Sequence, residues 1–436
     1  MDNKVSTVSA DLNSRFGNKI SNQLLFTYTN IDDVRGSNSS PFPFIDIMGG
    51  YETAADGTVT QSLTPYMSLG YELFSYNNRV QNKITTITDN FTYYAGAHKI
   101  TAGFSFEHQL ANNSYMRGGT GYYRYRSLDD FLNGAAPETV GLAYGYNGEA
   151  NPNAEVVFNQ YGLYAQDEWN ISENLKLTGG IRFDMISFNS DDLMRNNAIY
   201  QLNFGGRHID TGAWPDGNVQ VSPRIGFTWD VFGDKSLKVR GGTGLFAGRL
   251  PLVFFTNMPT NSGMVQNLVH ADTRYEGATG VVTSSDSRLQ NFVGGLVTDV
   301  NKIRELLGAP ESISPDEGTV PSEIAGVDKN FKMPQVWKSS LAVDYQFPVV
   351  FPMTLTGEFT YTKNINAVML DNYNVKPIDS SWERLQGADN RYLYPSDYRY
   401  YNDFSNACVL TNTHKGYGWT MNLTATAEPV KDLHLM

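Results

Sequence analysis

Long stretches of the chain alternate strictly between apolar and polar residues. In residues 175–185, Leu177, Ile181 and Phe183 alternate with polar or charged neighbours such as Thr178. Successive side chains of a β-strand point to opposite faces, so this period predicts strands with one apolar and one polar face. The segments are about twice as long as the mean strand of ~5 to 6 residues in soluble proteins.

The alternation predicts eleven strands and the start of a twelfth. They cover residues 3–14, 19–31, 82–94, 99–111, 156–171, 175–188, 220–231, 236–247, 335–346, 353–363, 416–428 and 432 onward. Short turns rich in Gly, Asn, Asp and Pro join the strands into hairpins. Between hairpins run segments far longer than the usual ~4 to 6 residues. These long loops cover residues 32–81, 112–155, 189–219, 248–334 and 364–415.

Short turns at one end, long loops at the other and a two-faced sheet are typical of a transmembrane antiparallel β-barrel of the outer membrane. Strands in lipid must satisfy every backbone donor and acceptor, so their apolar faces point to lipid and their polar faces line a lumen. Aromatic residues crowd the short-turn ends, where amphipathic rings favour the membrane interface. This predicted girdle contains Phe16, Tyr93, Tyr94, Trp169, Trp229, Phe232, Phe347 and Phe351.

Amino-acid composition excludes several other classes of protein. The 436 residues are 41% hydrophobic and 18% charged, with a formal net charge of −12. Many aromatic residues and few charges argue against intrinsic disorder, and the negative charge makes nucleic acid an unfavourable partner. No apolar run approaches the roughly 18 to 20 residues of a spanning helix, and the single Cys408 cannot form an internal disulfide.

Candidate chemistry is sparse. The six histidines lack the spacing of a metal site, and no catalytic set is visible. Carboxylates on the predicted lumenal face, such as Asp184 and Glu358, suit a polar barrel wall as well as an acid–base pair. We therefore expect no enzymatic activity, no metal and no cofactor.

The long loops carry the candidate recognition residues. Tyr and Trp offer rigid apolar rings with a polar tip and Arg offers forked donors, a combination that suits sugar rings or peptide backbones. The candidate substrate-binding residues are Tyr122, Tyr123, Arg124 and Tyr125 in one loop, and Trp382, Arg384, Arg391, Tyr394 and Tyr400 in another. In the largest loop, helical spacing after Asp299 and a terminating Gly308 predict a short helix that caps or lines the mouth.

Several segments resemble TonB-dependent outer-membrane receptors. The hairpin over residues 161–184, with YGLYAQDEW followed by NLKLTGGIRFD, carries most of the resemblance. VSPRIGF at 221–227 and RGGTGLF at 240–246 support it. NFKMPQVW at 330–337 resembles the Oar-like subgroup of Bacteroidota, which is related to the SusC/RagA nutrient importers.

The resemblance implies a 22-stranded barrel closed by an N-terminal plug. Extracellular loops would capture a large nutrient such as a glycan or peptide, and a TonB complex would act through the plug. The partners implied are outer-membrane lipid and lipopolysaccharide, the TonB complex and a surface lipoprotein, in the outer membrane of a Gram-negative bacterium. Because the first predicted strand meets a short turn first, we expect residues 1–436 to be one partial barrel domain, without plug and C-terminal strands.

Two other functions stay open at this stage. A passive porin or surface adhesin would also be an outer-membrane barrel, with ~16 to 18 strands in the porin case. A soluble β-rich glycan-processing enzyme would instead bury its apolar strand faces and bring two carboxylates together. The exposure of Leu177, Ile181 and Phe183 distinguishes the membrane barrel from the soluble enzyme.

Overall fold

A computed structural model describes residues 2–62, 64–189, 193–275 and 281–436. Strands dominate it. They are β1 Asp2–Phe16, β2 Ile20–Arg35, β3 Phe44–Met48, β4 Tyr51–Thr53, β5 Val59–Gln61, β6 Pro65–Leu69, β7 Asn78–Ala95, β8 His98–Ser114, β9 Tyr122–Tyr125, β10 Thr139–Gly145, β11 Ala154–Asn170, β12 Leu175–Asn189, β13 Val219–Asp230, β14 Leu237–Ala247, β15 Gln266–Tyr275, β16 Val282–Ser285, β17 Glu323–Val327, β18 Gln335–Gln346, β19 Met353–Asn372, β20 Asn406–Thr413 and β21 Tyr417–Ala427.

Helices are few and short. They are α1 Leu128–Leu132, α2 Asn197–Tyr200, α3 Val253–Thr260 and α4 Val300–Leu306, with 3-10 turns at Tyr146–Gly148 and Ser287–Phe292. In the described ranges, none is long and apolar enough to cross a membrane.

The eleven predicted strands form one antiparallel wall. In order they are β1, β2, β7, β8, β11, β12, β13, β14, β18, β19 and β21, each paired with its neighbour along this path. The short connections fall where they were predicted, and each long loop leaves from the opposite end. The fold is therefore the predicted all-β outer-membrane barrel type. In the described part of the chain the wall stays open, with β1 and β21 at its two edges.

Apolar residues of the wall form outward rows, and within the described ranges no second sheet covers them. Leu163, Phe183 and Val221 are cross-strand neighbours on β11, β12 and β13, and all are 40% exposed or more. Ile181 is also exposed and Leu177 half-buried. A soluble sandwich would bury these side chains, so their exposure contradicts the soluble alternative. The aromatic residues of the predicted girdle lie at the short-turn ends, where Phe16 and Phe232 are the most exposed.

Polar residues form the opposite, lumenal face of the wall. Arg182 donates to Asp184, with 2.7 Å between Nη2 and Oδ1, and to Ser105 Oγ at 2.9 Å. The carboxylates of Asp344 and Glu358 both approach Arg240, at 3.2 and 3.8 Å. These predicted lumenal carboxylates thus lie in ion pairs with arginines.

The long loops contain far more regular structure than the sequence indicated. Six short strands, β16-β15-β10-β9-β3-β6, form a second sheet from three different loops, which we call the loop sheet. Its apolar core contains Ile45, Tyr123, Leu142 and Phe292. The predicted helix is present as α4, capped by the Asp299 side chain, and its Ile303 is buried in this core. Beyond the barrel wall, β19 continues to Asn372 and pairs with β20.

The predicted twelfth strand is reduced to a single bridge. Leu435 pairs with Ala427 across a turn at 428–434, as an isolated bridge among the described residues. A ladder needs several residues on both sides, and here only one pair meets.

One loop segment folds back onto the lumenal face at the loop end. α3 packs against β8 and β11, where Phe255 is fully buried among Ala111, Phe158 and Ile186. Just before α3, Arg249 Nη2 lies 2.8 Å from Oε2 of Glu107, a buried carboxylate on the lumenal face of β8. The lumenal face is therefore polar along the wall, and at the loop end α3 covers part of it through an apolar contact.

Candidate ligand-binding site

The loop sheet repeats the two-faced pattern of the wall. In β9, Tyr123 and Tyr125 point into the apolar core, so Tyr122 and Arg124 point to the opposite face. In β10, Val140 and Leu142 enter the same core. Thr139 and Gly141 therefore share the outer face with Tyr122 and Arg124.

Strand register brings side chains from three loops into two rows on that face. Thr139 pairs with Arg124 on one side and with Asp272 on the other. Gly141 likewise lies between Tyr122 and His270. A Cβ at Gly141 would approach the His270 ring to 3.2 Å, so the absent side chain leaves room for the imidazole.

A segment of the last long loop faces these rows and encloses a cavity of about 610 Å³. Ser322 and Ser405 hold this wall together, because the Ser405 amide and hydroxyl both donate to the Ser322 carbonyl, at 2.8 and 3.0 Å. The lining is strongly polar. It consists of Arg117, Tyr122, Arg124, Thr139, His270, Asp272, Arg274, Ser284, Ser285, Asp286, Arg288, Ser322, Glu323, Arg399, Asn402, Asp403, Phe404 and Ser405.

The tyrosine and the histidine of the cavity are neutral at pH 7. Burial raises the pKa of Tyr122 to about 12, and its hydroxyl donates to Asp46 at 3.0 Å. Burial also lowers the pKa of His270, an effect that the nearby carboxylate of Asp272 opposes. Both groups thus contribute hydrogen bonding rather than charge, and the charge of the cavity comes from arginines and carboxylates.

The structure separates the four candidates of the first loop. Tyr122 and Arg124 line the cavity, whereas Tyr123 and Tyr125 are buried in the core beneath it. The Tyr123 hydroxyl donates to the carbonyl of Val297 at 2.8 Å. Tyr123 and Tyr125 therefore support the cavity wall from the core of the loop sheet. A ligand in the cavity would contact Tyr122 and Arg124.

Four candidates of the second loop lie together on an arm over residues 376–398. Trp382 packs on Tyr394 with 5.3 Å between ring centroids, and Arg384 lies 4.1 Å from the ring of Tyr392. Arg391 is fully exposed and paired with Asp389, while Tyr394 is 65% exposed. This aromatic arm is separate from the cavity lining.

Tyr400 follows the arm but packs elsewhere. Its ring contacts Phe204 at 6.4 Å between centroids, in a small core that also contains Ile199 and Phe404. Its neighbour Arg399 reaches the cavity. Arg124 of the first loop and Arg399 of the last long loop therefore line the same cavity.

Sequence reasoning missed His270, Asp272 and Arg274. They occupy alternate positions of β15, opposite the buried Ala271. The signal was present in the alternation of residues 269–274, but the segment lay inside a predicted loop of more than eighty residues, where no strand was sought. Among the described residues no group of three or more His, Cys, Asp or Glu could hold a metal ion.

Comparisons with solved structures find outer-membrane transporters, and the first of them agrees with the fold. The outer membrane transporter YddB from Escherichia coli is 11% identical, with a TM-score of 0.50 over 98% of this chain and 39% of that one. The copper transporter OprC is 10% identical over 98% and 45% of the two chains, with a TM-score of 0.42. The FrpB iron transporter from Neisseria meningitidis is 11% identical over 97% and 51%, with a TM-score of 0.37. This chain thus spans about half or less of their lengths.

No curated protein has a sequence that matches this chain. The family described as outer membrane beta barrel domain matches residues 2–418, which is nearly the whole sequence. The structure of this chain agrees with that match, because its strands have exposed apolar rows on one face and ion pairs on the lumenal face. The chain therefore belongs to the outer membrane beta barrel domain family and resides in the outer membrane of a Gram-negative bacterium.

Proposed function

We propose that this chain is the substrate-capturing part of a TonB-dependent active importer. The observation that carries the proposal is the loop sheet, because it turns three long loops into a rigid wall with a cavity of about 610 Å³ at the mouth. Loops of a passive pore need only leave an opening. A structured cavity next to a lumenal face that α3 partly covers suits capture followed by controlled release.

The cavity adjoins a second one that points toward the barrel. Arg117 and Glu323 line both, and the second cavity of about 330 Å³ reaches Asn261 at the end of α3. A ligand that leaves the first cavity would therefore pass beside α3. In this proposal α3 and the Arg249–Glu107 ion pair keep the mouth closed until transport begins.

Different candidate residues take different roles in the proposal. Tyr122 and Arg124 hold the ligand inside the cavity. Trp382, Arg384, Arg391 and Tyr394 make the first contact, because the aromatic arm is the exposed part of the same loop that supplies Arg399. Tyr123, Tyr125 and Tyr400 support the two walls.

The rest of the machinery belongs to the complete importer. A plug inside the barrel would couple transport to the TonB complex, and lipid and lipopolysaccharide would surround the apolar rows. The resemblance to SusC/RagA and Oar-like importers of Bacteroidota suggests a surface lipoprotein as a further partner, and a glycan or peptide too large for passive diffusion as the nutrient.

Growth of the host tests this proposal. The gene for the full-length protein is deleted, and growth is compared on a panel of glycans and peptides, with glucose as the diffusible control. We expect a defect on at least one large nutrient, reproduced by loss of TonB and rescued by the intact gene. A defect that does not depend on TonB would indicate a passive porin, and normal growth with lost surface attachment would indicate an adhesin.

A further inference from the structure

Among the described residues, four arginines of the cavity have no carboxylate partner. Arg288 is paired with Asp286, with 2.6 Å between Nη2 and Oδ2. Arg117, Arg124, Arg274 and Arg399 form no such pair with any described residue, although Asp272, Glu323 and Asp403 line the same space. Arginine heads that face a shared cavity without a partner are poised for an anionic group from outside the chain.

The unpaired arginines are held in place by other contacts. Arg274 Nη2 donates to the Asn402 carbonyl at 2.7 Å, which ties the two walls of the cavity together. The Arg117 guanidinium lies 5.8 Å from the Phe74 ring. An arginine that is already ordered loses less conformational freedom when a ligand binds.

Arg124 carries the most specific signal. Its guanidinium lies 5.9 Å from the ring of Tyr122, and its Nε is buried without a hydrogen-bond partner among the described atoms. A buried donor without a partner costs stability unless a ligand or water satisfies it. Arg124 also carries its Nη donors into the cavity lining, and two N–H groups of one guanidinium can bind a carboxylate through two parallel hydrogen bonds.

The five arginines and four carboxylates of the lining leave one positive charge in excess, which favours a ligand with a single negative charge. Asp272, Glu323 and Asp403 would repel a second anionic group, whereas they accept hydrogen bonds from hydroxyls. Ser284, Ser285 and further serine and amide side chains add neutral donors and acceptors. Such a mixture matches a ligand with many hydroxyls and a single acid.

We propose that this cavity binds a hydroxyl-rich organic acid with one carboxylate, the chemistry of a disaccharide that contains one uronic acid. The assignment deepens the proposed import function and rests on it for its biological role. A volume of about 610 Å³ lies within the roughly 300 to 1,000 Å³ of small-molecule sites. The carboxylate would sit on Arg124 and the hydroxyls on the serines and acids.

The test uses the full-length protein in detergent and three probes. They are an aldobiouronic acid, the same disaccharide with its carboxyl reduced to an alcohol, and digalacturonate with two carboxylates. By isothermal titration we expect the aldobiouronic acid to bind at least tenfold more tightly than either of the other two. Equal binding of the acid and its reduced form, or no binding of the acid, would overturn the proposal.

Variants then locate the site. Arg124→Gln should weaken binding of the aldobiouronic acid at least tenfold. Arg124→Lys should have an affinity between those of the unaltered protein and Arg124→Gln, because lysine keeps the charge but loses the forked geometry. Arg15 is an exposed arginine at the short-turn end of β1, far from the loops. Arg15→Gln is therefore the matched control and should bind the acid normally. Circular dichroism verifies that each variant folds. Unchanged binding in folded Arg124→Gln would contradict the assignment.

The two proposals fail in different ways. If the aldobiouronic acid binds but deletion of the gene affects growth on no nutrient, the site stands and import is wrong. If growth shows TonB-dependent import but the acid does not bind, the importer stands and the ligand class is wrong.

Discussion

Tyr164 lies flat across Gly103 on the neighbouring strand of the barrel wall. The two residues are direct cross-strand partners in β11 and β8, and a Cβ at position 103 would lie 2.3 Å from Cζ of Tyr164. The Tyr164 hydroxyl also bonds to Asn90 on β7, and the Arg182 guanidinium on β12 lies 5.1 Å from its ring. One tyrosine therefore connects four strands, which requires a glycine beneath it.

Gly103→Ala should destabilise the barrel by about 1 to 3 kcal/mol, the usual cost of overpacking. The added methyl group displaces the Tyr164 ring and breaks its contact with Asn90. Urea titration of the full-length protein measures the effect. Gly179→Ala on β12 is the control, because nothing lies within 4 Å of a Cβ there. Equal stability of the two variants would show that Tyr164 moves aside without cost.

Ile181→Arg should cost about 2 to 4 kcal/mol if this residue faces lipid near the middle of the membrane. Ile181 is 39% exposed on the apolar face of β12. Thr178→Arg is the matched control on the opposite face of the same strand, where a charged side chain reaches the lumen. Folding into lipid vesicles followed by urea titration compares them. A similar loss of stability in both variants would refute the assigned facing.

The sequence predicted the wall far better than the loops, for a physical reason. In a wall strand such as β12 the alternation runs through residues 175–185, so the strand can be predicted without knowledge of its partner. Loop strands such as β3 and β9 have five and four residues and pair in parallel across distant loops. Their order depends on contacts that no local pattern encodes.

The candidate site shows the same division. Arg124 was predicted from its aromatic neighbours, and the alternation of residues 122–125 separates cavity residues from core residues once β9 is known to be a strand. Arg117 and Glu323 carry no local signal, because only the meeting of separate loops places them at the cavity. The helix α4 was predictable because its signals, the Asp299 cap and Gly308 with φ of 65°, are local.

Phe255→Ala should loosen α3 from the mouth of the barrel. Phe255 is fully buried against the lumenal face, and removal of a buried phenylalanine costs about 3 to 5 kcal/mol. Amide hydrogen exchange in residues 253–260 should therefore accelerate at least a hundredfold. Phe254→Ala is the control on the same helix, since Phe254 is 41% exposed. Unchanged exchange in Phe255→Ala would mean that other contacts hold α3 in place.

His270 should make the loop sheet less stable in mild acid. Burial lowers its pKa, with Asp272 and Glu323 opposing the shift and Arg117 adding to it, so the folded state favours the neutral imidazole. Below the unfolded pKa of about 6.5, the unfolded chain takes up a proton that the folded chain resists. The stability of the loop sheet therefore falls as the pH drops through 6.5.

Hydrogen exchange of β15 at pH 7.5 and 5.5 measures this loss of stability. His270→Gln should reduce the difference in protection between the two pH values. An unchanged pH dependence in that variant would assign the effect to another group.

Removal of the tip of the aromatic arm, residues 382–394, should lower uptake without affecting the barrel. Residues 382–394 carry Trp382, Arg384, Arg391 and Tyr394 but none of the cavity lining, and they form no strand of the wall. We expect that replacing this segment with a short Gly-Ser linker slows substrate uptake in cells several-fold, because first contact is lost while the cavity remains. Surface labelling should show normal amounts of protein.

The matched control replaces residues 54–58, a turn between the short strands β4 and β5. This turn also lies outside the cavity lining, so its replacement should leave uptake normal. Uptake that stays normal after removal of the arm would exclude it from substrate capture and leave the cavity as the first point of contact.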